Sequence, residues 1–239
     1  MVQIPRLYPI LDASFFPDAE FLIAAAEELA AAGCTLMQYR DKSGNARIML
    51  EQARELKGRL VSDSHVSQRG RDAGHARNSP KEHRDTPGLA DSARPGNHIL
   101  LIMNDRADLC LAADFDGAHV GQDDLSPKSV RSIIGPNRWL GVSTHNPEQL
   151  READRSSADY LAIGPVFATA SKANPDPVVG LEGVRRARAL TRKPLVAIGG
   201  ITRANAASVI EAGADAVAVI SDLLPDPGKS AEEFLRILR

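Results

Sequence analysis

Eight short apolar runs alternate along the chain with eight helical patterns, and this alternation limits the fold more than any other feature. The runs are rich in Val, Ile and Leu, as expected of strands buried on both faces. The predicted strands are Leu7–Leu11, Thr35–Tyr39, Ile99–Met103, Ala118–Val120, Trp139–Val142, Tyr160–Ile163, Leu195–Ile198 and Ala216–Ile220. The predicted helices are Asp18–Ala32, Asn45–Leu60, Ala107–Ala113, Ser126–Ile134, Pro147–Asp154, Leu181–Leu190, Arg203–Ala212 and Ala231–Leu238.

Eight strand-helix units within 239 residues predict an α/β fold, a (β/α)8 TIM barrel that forms a single domain over residues 1–239. A doubly wound sheet is the alternative. Its dinucleotide-binding version is disfavoured because no G-x-G-x-x-G follows the first predicted strand. In a TIM barrel the chemistry takes place at the C-terminal ends of the strands.

One stretch, residues 62–97, interrupts this alternation of strand and helix patterns. It is dominated by Gly, Pro, Ser, Asp, Arg and His and contains almost no large apolar residue. Such a segment cannot bury enough surface to offset its ordering entropy, which predicts a disordered insertion between the second helix and the third strand, on the N-terminal face. The spacing of His65, His75 and His83 matches no zinc motif, and we interpret them as solvated loop histidines.

The composition is that of an ordinary globular protein. Hydrophobic residues make up 43% and charged residues 25% of the chain, and a net charge of −2 indicates neither a nucleic-acid nor a membrane partner. The absence of a long apolar run and of an apolar signal core near Met1 predicts a cytoplasmic location. Cys34 and Cys110 lie among apolar neighbours and are predicted to be buried, reduced thiols. The sequence leaves a homo-oligomer open.

A cationic cluster follows the second predicted strand. Gln38, Arg40 and Lys42 alternate with Tyr39 and Asp41, so the first three side chains should point to the same side of the extended chain. Arg40 offers a planar fork of donors to phosphate oxygens, and Lys42 offers a mobile point charge. The alternative is a surface ion pair between Arg40 and Asp41 or another neighbour.

Two carboxylates follow the next two predicted strands. Asp105 and Asp124 should meet at the same end of the barrel, where they would share a magnesium ion with substrate phosphates and water. Asn104 would add an uncharged donor and acceptor, and Asp123 would either replace Asp124 as a ligand or face solvent. The alternative is that the two carboxylates cap the helices that follow.

The fifth predicted strand ends in Gly141-Val142-Ser143-Thr144-His145. Ser143 is placed to hydrogen-bond a substrate or a leaving group. No Asp-His partnership in the sequence supports Ser143 as the nucleophile of a catalytic triad, so we set a serine hydrolase aside. His145 lies one residue before a predicted helix cap, and we interpret it as structural.

Segments after the last three predicted strands carry features of phosphate sites. The long, Pro-rich connection after the sixth strand contains Thr169, Ser171 and Lys172, which indicates an active-site loop rather than a plain surface excursion. Gly199–Gly200 and Ile220–Ser221 end the seventh and eighth strands, where backbone N–H groups of this barrel commonly bind phosphate, although a tight turn is the alternative for the glycines. Two pockets that bind anions would take two phosphorylated ligands, or one ligand with two phosphate groups.

The combined motifs resemble those of the thiamine-phosphate synthase family. They are Gln38-x-Arg40-x-Lys42, Asn104-Asp105, His119-x-Gly121-Gln122-x-Asp124, Gly141-x-Ser143-x-His145, Gly164-Pro165-x-Phe167-x-Thr169-x-Ser171-Lys172 and Gly199-Gly200-Ile201. The resemblance covers nearly the whole chain except the insertion. It implies a magnesium-dependent transferase that joins 4-amino-5-hydroxymethyl-2-methylpyrimidine diphosphate to 4-methyl-5-(2-phosphoethyl)thiazole, giving thiamine phosphate and diphosphate.

The resemblance also implies a role for each matching position. Asp105 and Asp124 would bind Mg²⁺. The residues implied to hold the pyrimidine diphosphate are Gln38, Tyr39, Arg40, Asp41, Lys42, Asn104, Ser143 and Lys172, of which Arg40, Lys42, Ser143 and Lys172 are predicted to act in catalysis. The residues implied to surround the thiazole phosphate are Thr169, Ala170, Ser171, Gly200, Ile220 and Ser221. Ser171 stands where the family usually has Thr, a departure that keeps the hydroxyl.

In that family the diphosphate leaves early and the thiazole nitrogen captures the resulting pyrimidine-methyl cation. This chemistry needs charge neutralisation on the diphosphate and exclusion of water, and it needs no general base. The alternatives are a related barrel that isomerises a thiazole phosphate and a non-catalytic regulatory relative. The joint presence of Arg40, Lys42, Asp105 and Asp124 argues against both, because either could lose these residues.

Overall fold

The structure, a computed structural model, describes residues 3–66, 98–169, 176–224 and 226–239. Its core is a closed barrel of eight parallel strands in the order of the chain. The strands are β1 (Leu7–Asp12), β2 (Leu36–Arg40), β3 (Leu100–Asn104), β4 (Gly117–Val120), β5 (Trp139–Thr144), β6 (Tyr160–Ile163), β7 (Leu195–Ile198) and β8 (Ala216–Val219). The predicted TIM barrel is confirmed, and each strand limit lies within two residues of the predicted one.

Helices follow the strands and pack around the barrel. Within the described residues they are α1 (Ala19–Ala31), α2 (Ala46–Val66), α3 (Ala107–Ala112), α4 (Pro127–Ile134), α5 (Pro147–Arg155), α6 (Gly180–Leu190), α7 (Ala206–Glu211) and α8 (Pro227–Ile237). The side chain of Ser126 caps α4 by accepting the Ser129 N–H at 3.2 Å, and Asn146 caps α5 by accepting the Gln149 N–H at 2.9 Å. Each cap precedes a proline at the helix start, as the sequence predicts.

Helix α2 continues to Val66, whereas the prediction ended it at Leu60. The six added residues contain no Gly or Pro, so nothing in the sequence stops the propagation of the helix. Helix α2 ends, and β3 begins, at the N-terminal face of the barrel. Residues 62–66, with His65, belong to α2, so the start of the predicted disordered insertion is helical and His65 does not lie in a loop. Residues 67–97 lie outside the described residues, and the predictions for the rest of the insertion, with His75 and His83, lie there with them.

Two further helix limits differ from the predicted ones by more than one residue. Helix α7 begins at Ala206 rather than Arg203, because Asn205 closes a turn in front of it through its side chain. Helix α8 begins earlier than predicted, at Pro227, because the side chain of Asp226 caps it and proline is favoured at the first helical position.

Both cysteines are buried and unbridged, as the sequence predicts. Burial raises the pKa of Cys34 and of Cys110 to about 12, which keeps both side chains as thiols. Among the described residues, none of the helices combines the length and the apolar composition that a membrane crossing requires.

Strand periodicity divides the core into two layers. A large apolar layer lies between the strands and the helices. A smaller one fills the barrel interior, where Tyr8 and Trp139 pack on Tyr160 with ring centroids 6.1 and 6.2 Å away. Toward the C-terminal end the interior positions become polar, beginning with the buried side chains of Gln38 and His119. Polar groups are therefore concentrated at one end of an otherwise apolar barrel.

A carboxylate contact is repeated at the N-terminal ends of β4, β6 and β8. Asp116, Asp159 and Asp215 directly precede these strands. Each accepts a backbone N–H from the start of the neighbouring odd-numbered strand, at 2.9, 2.7 and 2.7 Å respectively. Each also pairs with a Lys or Arg of a surrounding helix. These contacts fix strands and helices together on the face opposite the polar end.

Replacing Asp159 by alanine is expected to lower the free energy of unfolding by about 3 kcal/mol, because the Leu140 N–H and the Arg131 guanidinium would lose their shared acceptor. Denaturant unfolding followed by circular dichroism measures this change. The control is Glu182→Ala, which removes only exposed ion pairs within α6 and should cost roughly 0.5 kcal/mol or less. Equal losses in the two variants would contradict the role given to Asp159.

Candidate active site

A cavity of about 480 Å³ lies at the C-terminal ends of the strands. Its wall is formed by interior-facing strand residues and by the loops that follow them. The predicted site residues that line it are Gln38, Arg40, Lys42, Asn104, Asp105, Asp124, Ser143, Thr169, Gly200, Ile220 and Ser221. The structure therefore brings the described residues of both predicted phosphate pockets to the wall of one cavity.

Two predicted side chains do not line the cavity. Tyr39 is buried on the opposite face of β2, where its hydroxyl donates to Gln52 Oε1 at 2.6 Å. The Asp41 carboxylate turns back to accept the Ser43 N–H at 2.7 Å. The prediction that grouped both with Gln38 is corrected here, because successive strand residues face opposite sides. Three further predicted residues lie outside the described residues, namely Ala170, Ser171 and Lys172.

Arg40 is held in place by a buried carboxylate. Its guanidinium forms an ion pair with Asp12, whose side chain is only 2% exposed at the end of β1. Asp12 is itself fixed, because it accepts hydrogen bonds from the N–H of Ser14 at 3.1 Å and from its hydroxyl at 2.7 Å. Arg40 therefore pairs with the neighbouring strand and not with Asp41, and it also lines the cavity.

Asp105 and Asp124 meet at the edge of the cavity, and Lys42 forms an ion pair with Asp105. Burial raises the pKa of Asp105, the Lys42 ammonium lowers it, and the Asp124 carboxylate raises it, with a net rise. The N-cap positions of α3 and α4 are Arg106 and Ser126, so the alternative in which the two carboxylates cap these helices is wrong. Two adjacent carboxylates, one already paired with an ammonium, form a site that favours cations.

Gly199 and Gly200 let the loops after β6 and β7 approach each other closely. Their φ angles are +98° and +63°, which glycine adopts at low cost. A Cβ on Gly200 would lie 2.5 Å from the Ala168 carbonyl oxygen, and one on Gly199 would lie 2.5 Å from Pro165 Cβ. The Phe167 N–H donates to the Gly199 carbonyl at 2.9 Å. Main chain therefore forms this part of the cavity wall.

Arg203 anchors the loop after β8, a role that the sequence analysis missed. Its backbone N–H and its Nε donate to Asp222 at 2.8 and 3.1 Å, and its Nη1 donates to Glu233 at 2.7 Å. Asp222 directly follows Ser221, so these bonds hold the end of β8 against the loop after β7. No local pattern could reveal this, because the contacts join residues 19 and 30 positions apart.

Ser143 is paired with His119, whose Nε2 lies 2.8 Å from the serine oxygen. The other ring nitrogen lies 3.0 Å from the Tyr160 hydroxyl rather than from a carboxylate. Burial lowers the pKa of His119 to about 4, so the imidazole is neutral and a weak base. These contacts again argue against a serine hydrolase. His145 contacts a backbone carbonyl of the loop after β6 at 2.6 Å, in agreement with a structural role.

Comparison with known proteins gives the family. The sequence model of a family described as thiamine monophosphate synthase matches residues 85–223. The thiamine-phosphate synthase of Koribacter versatilis is 52% identical over 240 residues, which cover 99% of this chain and 97% of the relative. The chain belongs to the thiamine-phosphate synthase family.

Two further comparisons agree with the synthase family. The thiamine-phosphate synthase of Chloroflexus aurantiacus is 38% identical, with 98% of this chain and 92% of the relative covered. The solved thiamine phosphate pyrophosphorylase from Pyrococcus furiosus superposes with a TM-score of 0.73 at 30% identity, over 98% of this chain and 95% of that one. As a member of this family the chain is a transferase, and the synthase is favoured over the isomerase and the regulatory relative.

In this member of the thiamine-phosphate synthase family, His119 should make stability depend on pH. Its pKa is about 4 in the folded protein, against about 6.5 in an unfolded chain, so the unfolded state binds more protons between these values. The free energy of unfolding that depends on neutral His119 is present in full above pH ~6.5. It falls by about 3 kcal/mol as the pH is lowered toward 4. Denaturant unfolding of wild type and His119→Gln across this range measures it, and a difference between them that does not change with pH would contradict the prediction.

Proposed function

We propose that this chain joins 4-amino-5-hydroxymethyl-2-methylpyrimidine diphosphate to 4-methyl-5-(2-phosphoethyl)thiazole, giving thiamine phosphate and diphosphate. The observation that carries the proposal is that two unlike sets of groups line one cavity. Charged side chains, Arg40 and Lys42 beside Asp105 and Asp124, form one end. Main chain at Gly200 forms part of the other. Two substrates with different phosphate groups fit such a pair of sites.

The diphosphate of the pyrimidine substrate is assigned to the charged end. Arg40, fixed by Asp12, offers its remaining N–H groups to two phosphate oxygens, and Lys42 offers a mobile ammonium. Asn104 and Ser143 supply neutral hydrogen-bonding groups from β3 and β5, the two strands that flank β4. Lys172 is assigned to the same substrate on the sequence motif alone.

Mg²⁺ is assigned to Asp105 and Asp124. Within the described residues, no group of three or more His, Cys, Asp and Glu side chains could hold a metal ion, so the protein would supply two carboxylates and leave the other positions to phosphate and water. The ammonium of Lys42 against Asp105 supports a preference for cations at this point. When bound, the ion would neutralise charge on the diphosphate as it departs.

The phosphate of the thiazole substrate is assigned to the opposite wall. Gly200 brings its backbone to the surface of the cavity, and Ile220 and Ser221 follow at the end of β8. Arg203 and Asp222 hold that end in position. Thr169 lines the same cavity, and Ala170 and Ser171 are assigned to it on the sequence motif.

The arrangement suits a dissociative substitution. The bond between the pyrimidine methylene carbon and the diphosphate oxygen breaks first, and the thiazole nitrogen then donates its electron pair to the methylene cation. Arg40 and Lys42 lower the barrier by stabilising the negative charge that develops on the diphosphate. His119 is neutral and buried, which supports a reaction without a general base. We also propose that the protein works in the cytoplasm, where reduced thiols such as Cys34 and Cys110 persist.

The test is product identification. The purified protein, incubated with both substrates and Mg²⁺, should form thiamine phosphate and diphosphate in equal amounts, which mass spectrometry and a phosphate assay after pyrophosphatase treatment measure. A folded protein that consumes the thiazole phosphate without forming thiamine phosphate would contradict the proposal and indicate an isomerase.

A further inference from the structure

A chain of hydrogen bonds crosses the barrel interior from β2 to β5. Gln38 Nε2 donates to the Tyr8 hydroxyl at 3.0 Å, which lies 2.9 Å from the Tyr160 hydroxyl. The Tyr160 hydroxyl lies 3.0 Å from His119 Nδ1, and His119 Nε2 lies 2.8 Å from Ser143 Oγ. We call these five side chains the relay. It ends at a serine that lines the cavity.

The relay is buried, and the sequence of β5 makes room for it. Tyr8, Gln38 and His119 are 1%, 3% and 7% exposed, and Tyr160 is fully buried. Gly141 faces the point where Tyr160 and His119 meet, and a Cβ there would lie 2.1 Å from Tyr160 Cζ and 2.3 Å from His119 Nδ1. Any side chain at position 141 would therefore separate the two rings. The contact depends on this glycine.

The hydrogens along the relay can be assigned by counting donors. Each hydroxyl has one hydrogen, and a buried donor without an acceptor is costly. Because Tyr8 accepts from Gln38, its own hydrogen goes to Tyr160, and the hydrogen of Tyr160 goes to His119 Nδ1. With Nδ1 accepting, the imidazole carries its hydrogen on Nε2 and donates it to Ser143. The hydrogen of Ser143 is left to point into the cavity.

We propose that every hydrogen bond of the relay is donated in the direction of Ser143. Tyr160 and His119 then act as positioning residues that present the Ser143 hydroxyl as a hydrogen-bond donor to the diphosphate of the pyrimidine substrate. The inference rests on the proposed function for the identity of the ligand. A serine that donates to an anionic oxygen stabilises it, and the effect grows as charge develops on the leaving group. In the reverse direction Ser143 would donate to His119 and turn its lone pairs toward the anion.

The direction of the relay is tested without substrate. Two-dimensional ¹H–¹⁵N spectra of the histidine side chains at pH 7.5 distinguish the two neutral tautomers, and His119→Gln identifies the signal by its disappearance. We expect the tautomer with hydrogen on Nε2. The tautomer with hydrogen on Nδ1 would overturn the proposal.

The positioning role is tested by kinetics. Tyr160→Phe keeps the ring and removes the hydroxyl, and kcat should fall about tenfold, with the KM for thiazole phosphate unchanged. In a Ser143→Ala background, Tyr160→Phe should cause no further loss, because its effect passes through Ser143. Independent, additive losses, or a rise in both KM values together, would overturn the proposal. A wild-type protein without synthase activity would refute the proposed function but leave the tautomer measurement decisive for the relay.

Discussion

Asp105→Asn is expected to lower kcat/KM by about 10³-fold at fixed Mg²⁺, because it removes one of two carboxylates assigned to the ion. The fold should be retained. Asp105 has a φ of +60°, a conformation that Asn tolerates well. Burial and the Asp124 carboxylate both raise the pKa of Asp105, so a neutral amide at this position relieves repulsion. Steady-state kinetics over a magnesium titration measures both the rate and the apparent affinity for the ion.

The matched control for this prediction is Asp108→Asn. Asp108 lies in the first turn of α3, its side chain is 61% exposed, and its partner Arg106 is half-buried. The substitution makes the same change of charge three residues away and should change kcat/KM by about twofold or less. If Asp105→Asn keeps both wild-type activity and the wild-type magnesium dependence, Asp105 is not a metal ligand.

Gly200→Ala is expected to raise the KM for thiazole phosphate by about 100-fold and to change the KM for the pyrimidine diphosphate by about threefold or less. The added Cβ would meet the Ala168 carbonyl oxygen at 2.5 Å and Phe167 Cβ at 2.8 Å, so the two loops must separate. A misplacement of about 1 Å can cost an enzyme about 100-fold, and here the displaced wall is the one assigned to the thiazole phosphate. Initial rates with one substrate varied at a time measure the two constants separately.

Gly180→Ala separates steric contact from backbone strain. Gly180 has a φ of +65°, close to the +63° of Gly200, but a Cβ there would meet nothing within 4 Å. Both variants therefore carry a similar cost for placing alanine at positive φ. Only Gly200→Ala also moves the loops after β6 and β7 apart. A similar rise in the KM for thiazole phosphate in both variants would show that strain, rather than the wall formed by Gly200, controls binding.

The sequence predicts well which strand residues face the site, because their orientation depends on strand periodicity. Alternation along β2 places Gln38 and Arg40 on the interior side, and the structure sends Tyr39 to the other side, where it meets Gln52. The order of the strands brings the segments after β3 and β4, which carry Asp105 and Asp124, to the same end of the barrel. Such positions follow from the period of a strand and the order of strands in a parallel barrel.

Contacts across the barrel interior could not be predicted in this way. Tyr8 on β1 and Tyr160 on β6 are 152 positions apart in the sequence, yet their hydroxyls form a hydrogen bond across the barrel interior. Periodicity assigns each to the interior but does not say which interior residues touch, since that depends on barrel tilt and stagger. The role of Gly141 is hidden for the same reason, because it is defined by the two side chains that meet above it.

The most direct test of the central claim is diphosphate release measured with each component omitted in turn. The complete mixture contains the purified protein, the pyrimidine diphosphate, the thiazole phosphate and Mg²⁺. We predict rapid release that requires both substrates and the metal ion. A rate that is unaffected by omitting the thiazole phosphate, or no release from a folded protein that still binds thiazole phosphate, would contradict the account.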